Sequence, residues 1–207
     1  MCGIAGVAVS EGHRLGAAML PSMAETLRHR GPDDCGLWTS PAGDVSLAHR
    51  RLSIVDVSPL GRNPMGWSDG RFWITFNGEI YNHLELRAEL EAGGARFRSQ
   101  TDTEVILAAY ERWGTECVHR FVGMFAFALW DEARRRLWLV RDRLGKKPLY
   151  YAFRNGRLAF ASELKALLAD PSIGRDLDHA ALGIYLQCGY VPAPLTIYQS
   201  IRKLRPG

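Results

Sequence analysis

The chain has 207 residues, of which 47% are hydrophobic and 23% are charged, and these values suit one soluble globular domain. It contains no run of about eighteen apolar residues and no signal segment at its start, so we expect neither a membrane span nor a secretory leader, and we assign the protein to the cytoplasm. The net charge of +4 comes from basic residues that are spread along the chain among 22 acids, without a groove-reading motif, so we expect no nucleic-acid partner.

Predicted strands and helices alternate in groups along the chain. The strands are predicted from apolar runs and alternation at residues 3–10, 45–55, 71–76, 124–130, 137–141, 149–153 and 158–162. The helices are predicted from apolar residues at helical spacing at 17–28, 82–92, 101–113, 163–168 and 179–186. Many hairpin-linked strands with helices grouped between them indicate an α+β protein with largely antiparallel sheets.

Short polar motifs mark where these elements begin and end. Asn77-Gly78 and Asn155-Gly156 are typical of turns that follow a strand. Asn82 and Thr101, each with a Glu three residues later, predict capping boxes at two helix starts. The composition then shifts to Pro and Ala after Gly189, so we predict a domain at residues 1–190 and a linker or tail at 191–207.

The four cysteines differ in what their positions imply. They are Cys2, Cys35, Cys117 and Cys188, and none belongs to a CxxC pair. The six histidines are scattered, so the sequence predicts no metal site, and without a secretory signal we expect no disulfide. We assign no role to Cys35.

Cys2 directly follows the initiator methionine. Methionine aminopeptidase removes Met1 when the next residue is small, which would make Cys2 the N-terminal residue. Such a cysteine combines a thiol of pKa about 8.5 with an α-amine of pKa about 8 that can accept the thiol proton. The sequence therefore predicts a self-activating nucleophile, although a cysteine at this position can also be incidental.

Motifs along almost the whole chain support the interpretation of Cys2 as a nucleophile. The opening MCGIAGV resembles that of class II glutamine amidotransferases, which are N-terminal-nucleophile amidohydrolases. The later motifs resemble the glutaminase half of asparagine synthetases and stand in the same order: RHRGPDD (28–34), RLSIVD (51–56), FNGEIYNH (76–83), TDTEVIL (101–107), MFAFALWD (124–131), RDRLGKKPLYY (141–151) and ASELKAL (161–167). The resemblance implies a four-layer αββα sandwich and hydrolysis of the glutamine side-chain amide through a Cys2 thioester.

Attack of a thiol on an amide needs an oxyanion hole, which typically contributes on the order of 10²–10³ in rate per donor. Asn77 and Gly78 fit this requirement through the Asn amide and the Gly backbone N–H, although most Asn-Gly pairs are plain turns. Because the residues that follow also match the family, the resemblance favours a catalytic role for both, together with Cys2.

The substrate α-carboxylate calls for an arginine, whose planar fork binds it through two hydrogen bonds. The family pattern places this arginine directly before Leu-Ser-Ile-Val, which selects Arg51 and leaves Arg50 without an assigned role. The resemblance further implies that the backbone atoms of Ile54 and Val55 line the pocket.

The substrate α-ammonium needs a carboxylate, and the resemblance assigns Asp102 to it, with Glu79 as the second acid. Without the resemblance, Asp102 is an acid favoured at a helix N-terminus. A cysteine enzyme also suggests a Cys–His dyad, but the α-amine already supplies a base, so we interpret His29 and His49 as structural.

Glutamine hydrolysis by this route needs no cofactor or metal. In the resembled family, the ammonia is used by a synthetase domain that needs ATP and Mg²⁺ and that we do not find in these residues; it would act in cis in a longer protein or in trans. Alternatives that stay open are a non-catalytic relative, a phosphoribosyl- or hexosamine-forming branch, and a β-lactam-forming or polysaccharide-modifying acceptor.

Overall fold

The computed structural model describes residues 1–10, 19–54, 56 and 58–207 of the chain. Within these residues the strands are β1 (Gly3–Val9), β2 (Asp34–Thr39), β3 (Val45–Arg51), β4 (Met65–Trp67), β5 (Phe72–Ile80), β6 (Gly123–Asp131), β7 (Arg136–Arg141), β8 (Tyr150–Arg154), β9 (Arg157–Ala161) and β10 (Arg202–Lys203). The helices are α1 (Met19–Thr26), α2 (His83–Ala92), α3 (Asp102–Trp113), α4 (Leu164–Leu167) and α5 (His179–Cys188). None of the helices in the described part of the chain is long and apolar enough to cross a bilayer.

The strands form two sheets in which every pairing between the described strands is antiparallel. One sheet has the order β10-β8-β9-β1-β3-β2, and the other has the order β4-β5-β6-β7. The N-terminal strand β1 lies inside the larger sheet between β3 and β9, so the first residues of the chain are held on both sides. The smaller sheet is centred on the long hairpin pair β5 and β6.

Three apolar layers separate these elements, and the alternation of strand side chains places them. In β6, Phe125 and Phe127 pack with α2 and α3 on one face, whereas Ala126 and Ala128 pack against the other sheet. In β1, Ala5 faces α1 and α4 in a third cluster. The order is therefore helices, sheet, sheet, helices, and the predicted α+β fold with a four-layer αββα sandwich of antiparallel sheets is confirmed.

The turn prediction at Asn77-Gly78 is wrong, because β5 continues through both residues to Ile80. Gly78 lies opposite Phe125 of β6. A Cβ atom at Gly78 would overlap the Met124 carbonyl oxygen and lie 2.6 Å from the Phe125 Cα atom. The glycine therefore permits close approach of the two strands. Sequence alone does not distinguish an Asn-Gly pair that serves this purpose from one that forms a turn.

The other short motifs have mixed outcomes. Asn155-Gly156 is a turn with both φ angles positive, at 50° and 69°, as predicted. Thr101 caps α3 by accepting from the Glu104 N–H at 3.3 Å. The Asn82 capping box is wrong: the Asn82 side chain instead bonds the backbone at residues 120 and 122, each at 3.0 Å.

Two predicted elements extend into residues outside the described part of the chain. The helix predicted at 17–28 is observed as α1, and residues 17 and 18 are not described. The strand predicted at 45–55 is observed as β3, which ends at Arg51, while Val55 is not described. At the other end, β10 pairs with β8 from within the segment predicted as a linker or tail, and the boundary at residue 190 stays a prediction.

We predict that Gly78→Ala lowers the free energy of unfolding by about 1–3 kcal/mol, because neither backbone that the new methyl group meets can move without breaking the β5–β6 ladder. Urea unfolding followed by circular dichroism measures the change. Gly183→Ala in α5 is the matched control: no atom lies within 4 Å of its Cβ position, and the change should be neutral or stabilising. Equal stability of Gly78→Ala and the parent would contradict the close-approach explanation.

Candidate active site

A pocket of about 150 Å³ opens where β3 and β5 end, next to the start of α3. All of the predicted site residues that the structure describes line it: Cys2, Arg51, Ile54, Asn77, Gly78, Glu79 and Asp102. Val55, the remaining predicted residue, lies outside the described residues. Residues brought together from positions 2 to 102 of the chain therefore share one cavity.

Cys2 immediately precedes β1 and is held through its sulfur and its carbonyl. The Leu52 N–H donates to Cys2 Sγ at 3.4 Å, and Sγ lies 3.7 Å from the Leu52 carbonyl oxygen. Arg30 Nε donates to the Cys2 carbonyl at 2.9 Å, and Arg30 Nη1 pairs with Glu163 at 2.9 Å. Leu52 therefore contacts the thiol directly, while Arg30, paired with Glu163, holds the Cys2 backbone.

The pKa of the Cys2 thiol is raised, chiefly because the group is buried. The Leu52 N–H, the α-ammonium of Met1 and the Arg51 charge act in the opposite direction, since each favours the thiolate. The thiol is consequently protonated at neutral pH and needs a base to become a nucleophile. Met1 itself lines the pocket, so its removal would place an α-amine on Cys2 next to the sulfur.

Asn77 brings an unused donor into the same pocket. Its side chain is 1% exposed, and within the described part of the chain Nδ2 has no hydrogen-bond partner. A buried amide donor without a partner costs about 1–3 kcal/mol, so it is well suited to an acceptor that arrives with a ligand.

Gly78 supplies a second donor through its backbone. The opposite residue, Phe125, uses its N–H and carbonyl to bond Asp142, so Gly78 and Phe125 form a non-hydrogen-bonded pair and the Gly78 N–H points to the other edge of β5. Strand β4 covers that edge only as far as Ile74. Two residues on, the Ile80 N–H at the same edge donates to Asp102. The Gly78 N–H therefore faces the pocket side of the strand.

Arg51, the last residue of β3, is 8% exposed and bonds the following loop. Its Nη1 donates to the Ser58 carbonyl at 3.0 Å, and its Nη2 donates to the Asp56 carbonyl. These bonds use two of five N–H donors, so the guanidinium keeps donors for a carboxylate. Arg50 has the opposite orientation: its Nε donates to the Ala24 carbonyl at 3.1 Å, on helix α1.

Asp102 is the first residue of α3 and is 6% exposed. Its Oδ2 accepts from the Ile80 N–H at 3.0 Å, but burial dominates and raises the pKa of the carboxyl group. A buried carboxylate of this kind is stabilised by a cation placed next to it. Glu79 is half-buried and Ile54 is exposed; both line the pocket.

Asp56 links Arg51 to the turn that precedes Asp102. Its carboxylate accepts from the Ser58 N–H at 2.8 Å and from the Gln100 N–H at 3.1 Å. Hydrogen bonding to the Ser58 side chain, followed by these two backbone bonds, lowers the pKa of Asp56. Because the Asp56 carbonyl also accepts from Arg51, one residue fixes the arginine relative to the start of α3.

The sequence analysis did not single out several other lining residues. They include Asp56, Gly61, Asn63 and Lys147. His49, which the sequence analysis interpreted as structural, also lines the pocket, because it lies two residues before Arg51 on a strand and therefore shares its face. His29 is outside the pocket lining and lies 3.0 Å from Glu163.

The remaining cysteines lie away from this pocket. Cys35 and Cys188 are exposed, Cys117 is buried, and all are free. Burial raises the pKa of the Cys117 thiol to about 12, which makes it unreactive at neutral pH. Among the described residues, no group of three or more His, Cys, Asp or Glu side chains is arranged to hold a metal ion.

The pocket of this four-layer αββα sandwich thus contains a thiol in front of a central strand, a buried amide donor without a partner among the described residues, and an Arg and an Asp. The chain belongs to the glutamine amidotransferase domain family, whose model matches residues 1–207.

Individual relatives agree with this assignment. The chain is 40% identical over 212 residues to asparagine synthetase [glutamine-hydrolyzing] 1 of Bacillus subtilis, covering 100% of this chain and 33% of that protein. It is 34% identical over 217 residues to amidase chry2 of Gibberella zeae, covering 100% of this chain and 32% of that protein. The chain thus spans about a third of the length of these relatives.

Among solved structures, the glutamine phosphoribosylpyrophosphate amidotransferase of Bacillus subtilis superposes with a TM-score of 0.70 at 20% identity, over 81% of this chain and 43% of that one. At this identity the similarity concerns the fold.

We predict that Gly61→Ala raises the KM for glutamine about ten-fold while the protein stays folded. A Cβ atom at Gly61 would overlap Arg51 Nη2, so the guanidinium would shift without being removed. Steady-state kinetics with circular dichroism as a folding check measure this, and Gly183→Ala serves again as the control. An unchanged KM would show that Gly61 does not set the position of Arg51.

Proposed function

We propose that this domain hydrolyses the side-chain amide of L-glutamine to glutamate and ammonia through a thioester on Cys2. The observation that supports this most directly is the buried Asn77 amide, which has no partner among the described residues and lies in the pocket that also contains the Cys2 thiol. An oxyanion hole requires such a preorganised donor beside a nucleophile.

In the proposed reaction, the α-amine of Cys2, freed by removal of Met1, takes the thiol proton. The sulfur attacks the side-chain carbonyl carbon, and the Asn77 Nδ2–H and Gly78 N–H groups stabilise the resulting oxyanion. The amine then gives its proton to the departing nitrogen, ammonia leaves, and a thioester remains. Water, deprotonated by the same amine, attacks the thioester, and the sulfur leaves with a proton as glutamate forms.

The α-amine is a better candidate for the base than the histidine of the pocket. Burial lowers the pKa of His49 to about 4, and its Nε2 atom is engaged with the Phe76 carbonyl. A group with so low a pKa is a poor acceptor for a proton from a thiol of raised pKa.

The ends of the substrate would be held by opposite charges. Arg51 keeps free donors for the α-carboxylate, and Asp102 lies buried without a cation partner among the described residues, as a site for the α-ammonium requires. Glu79 and the backbone at Ile54 and Val55 are proposed to complete the glutamine site.

The wider role is also proposed. The relatives with this domain are about three times as long, and one carries the name of a glutamine-hydrolysing asparagine synthetase. We infer that the ammonia serves amide formation by a synthetase domain, in cis or in trans, which would use ATP and Mg²⁺, whereas the glutaminase reaction needs no cofactor. A second candidate function is the same glutaminase reaction with another acceptor for the ammonia. The match to amidase chry2 supports this candidate.

We predict that residues added before Cys2 abolish ammonia release from glutamine, because they remove the free α-amine. A protein with an uncleaved N-terminal extension is compared with the processed protein, whose mass should lack Met1. The processed protein should also gain one equivalent of a diazo-ketone glutamine analogue at Cys2, with Cys2→Ala as the control and the exposed Cys35 and Cys188 unlabelled. Full activity of the extended protein would disprove the role of the α-amine.

We further predict that Arg51→Ala and Asp102→Asn each raise the KM for glutamine about ten-fold or more, because each removes a charge that contacts the substrate. Arg50→Ala is the matched control, since its side chain bonds α1 and it should leave KM unchanged. If Arg50→Ala raised KM and Arg51→Ala did not, the assignment of the carboxylate site along β3 would be off by one residue.

A further inference from the structure

His49 connects the two sheets directly behind the catalytic residues. It belongs to β3 in the larger sheet, lies opposite Ile4 of β1, and is 3% exposed. Its Nε2 atom lies 2.9 Å from the carbonyl oxygen of Phe76, which belongs to β5 in the smaller sheet. That carbonyl is part of the peptide group that joins Phe76 to Asn77.

The contact determines which nitrogen of His49 holds the proton. A carbonyl oxygen only accepts, so Nε2 must donate, and Nδ1 is then an acceptor in the neutral ring. Nδ1 is buried and has no partner in the part of the chain that the structure describes. Burial lowers the pKa of the ring to about 4, although the hydrogen bond to the Phe76 carbonyl opposes this shift. The Arg51 charge lowers the pKa further, and the Asp34 charge raises it. The neutral Nε2–H form is therefore the one present at neutral pH.

A second hydrogen bond joins the same two strands one residue earlier. Thr75 Oγ1 donates to the Ala48 carbonyl at 2.9 Å. The surrounding interface between the sheets is apolar, built from residues such as Leu47 and Ala126, and apolar contacts do not specify direction. Bonds with fixed geometry are therefore needed to set how far one sheet is displaced along the other.

We propose that His49 is a positioning residue of the glutaminase reaction, whose Nε2–H bond to the Phe76 carbonyl holds the Asn77 donor in place relative to Cys2. The path runs from Cys2 through β1 to His49 by strand pairing, and from His49 to the Asn77 peptide by one hydrogen bond. This inference rests on the proposed function and adds a residue that acts on the reaction through the Asn77 peptide.

The test compares two amide replacements that differ in where they place the donor. The amide nitrogen of Gln reaches the position of Nε2, whereas that of Asn reaches only the position of Nδ1. We expect His49→Asn to lower kcat for glutamine hydrolysis about ten-fold or more, toward the loss seen when an oxyanion donor is removed. KM should change little, because Arg51 and Asp102 stay in place. His49→Gln should recover most of kcat.

Thr75→Val is the control for the general cost of a lost bond between the sheets. It should lower the unfolding midpoint as His49→Asn does, with a smaller loss of kcat because the Phe76–Asn77 peptide keeps its partner. Equal kcat losses in the Gln and Asn variants, or a change that falls on KM, would overturn the proposal. If the unaltered protein did not hydrolyse glutamine, that result would count against the proposed function and not against the role of His49.

A measurement on the unaltered protein covers the case in which His49→Asn does not fold. Nitrogen-15 spectra of the labelled imidazoles should show one ring that is in the Nε2–H form at neutral pH and stays neutral well below the ordinary histidine pKa. The His49→Gln spectrum assigns that ring. An Nδ1–H form for His49 would overturn the proposal, because Nε2 could not then donate to Phe76.

Discussion

The site depends on how two antiparallel sheets pack face to face. Cys2 adjoins a strand of one sheet and Asn77 belongs to a strand of the other, so the distance between the proposed nucleophile and the proposed oxyanion donors is a property of the interface. Small side chains such as Ala126 and Ala128 let the sheets approach, while Trp130 and Phe160 fill the space beside them. The packing of the core between the two sheets therefore sets the geometry of the candidate active site.

The pocket contains buried polar groups, and burial of such groups without partners costs free energy. Asp102 is buried, and the groups that favour its charged form are backbone donors and His83, while the Asn77 amide nitrogen is buried without a partner among the described residues. A zwitterionic ligand with a side-chain carbonyl satisfies all of these groups together. The three apolar clusters elsewhere among the described residues offset this local cost.

The sequence predicted the order of most elements because apolar periodicity survives in single sequences. It also predicted the α+β fold, through hairpin spacing and through the family resemblance. It misread Asn77-Gly78, since a glycine needed for close strand approach looks the same as one needed for a turn. It also missed Asn82, whose bonds go to residues 120 and 122, about 40 positions away, which no local pattern encodes.

The predicted site residues came from motifs, and the structure places the described ones in one pocket, although their chemical roles remain predictions. Asp56 and Gly61 were overlooked for a physical reason. Both act on the Arg51 guanidinium through backbone atoms or through the absence of a side chain, so residue type gives little indication of their importance.

The position of Cys2 has a consequence for synthesis on the ribosome. The nucleophile leaves the ribosome first, but it is held by groups that are made much later. Ile4 exchanges hydrogen bonds with Ser162, and the arginine that binds the Cys2 carbonyl pairs with Glu163. Closing this long loop has to wait for β9, so the N-terminal strand stays unpaired on that side while most of the domain is translated. The contacts that hold Cys2 at the pocket are therefore complete only after Ser162 and Glu163 have been made.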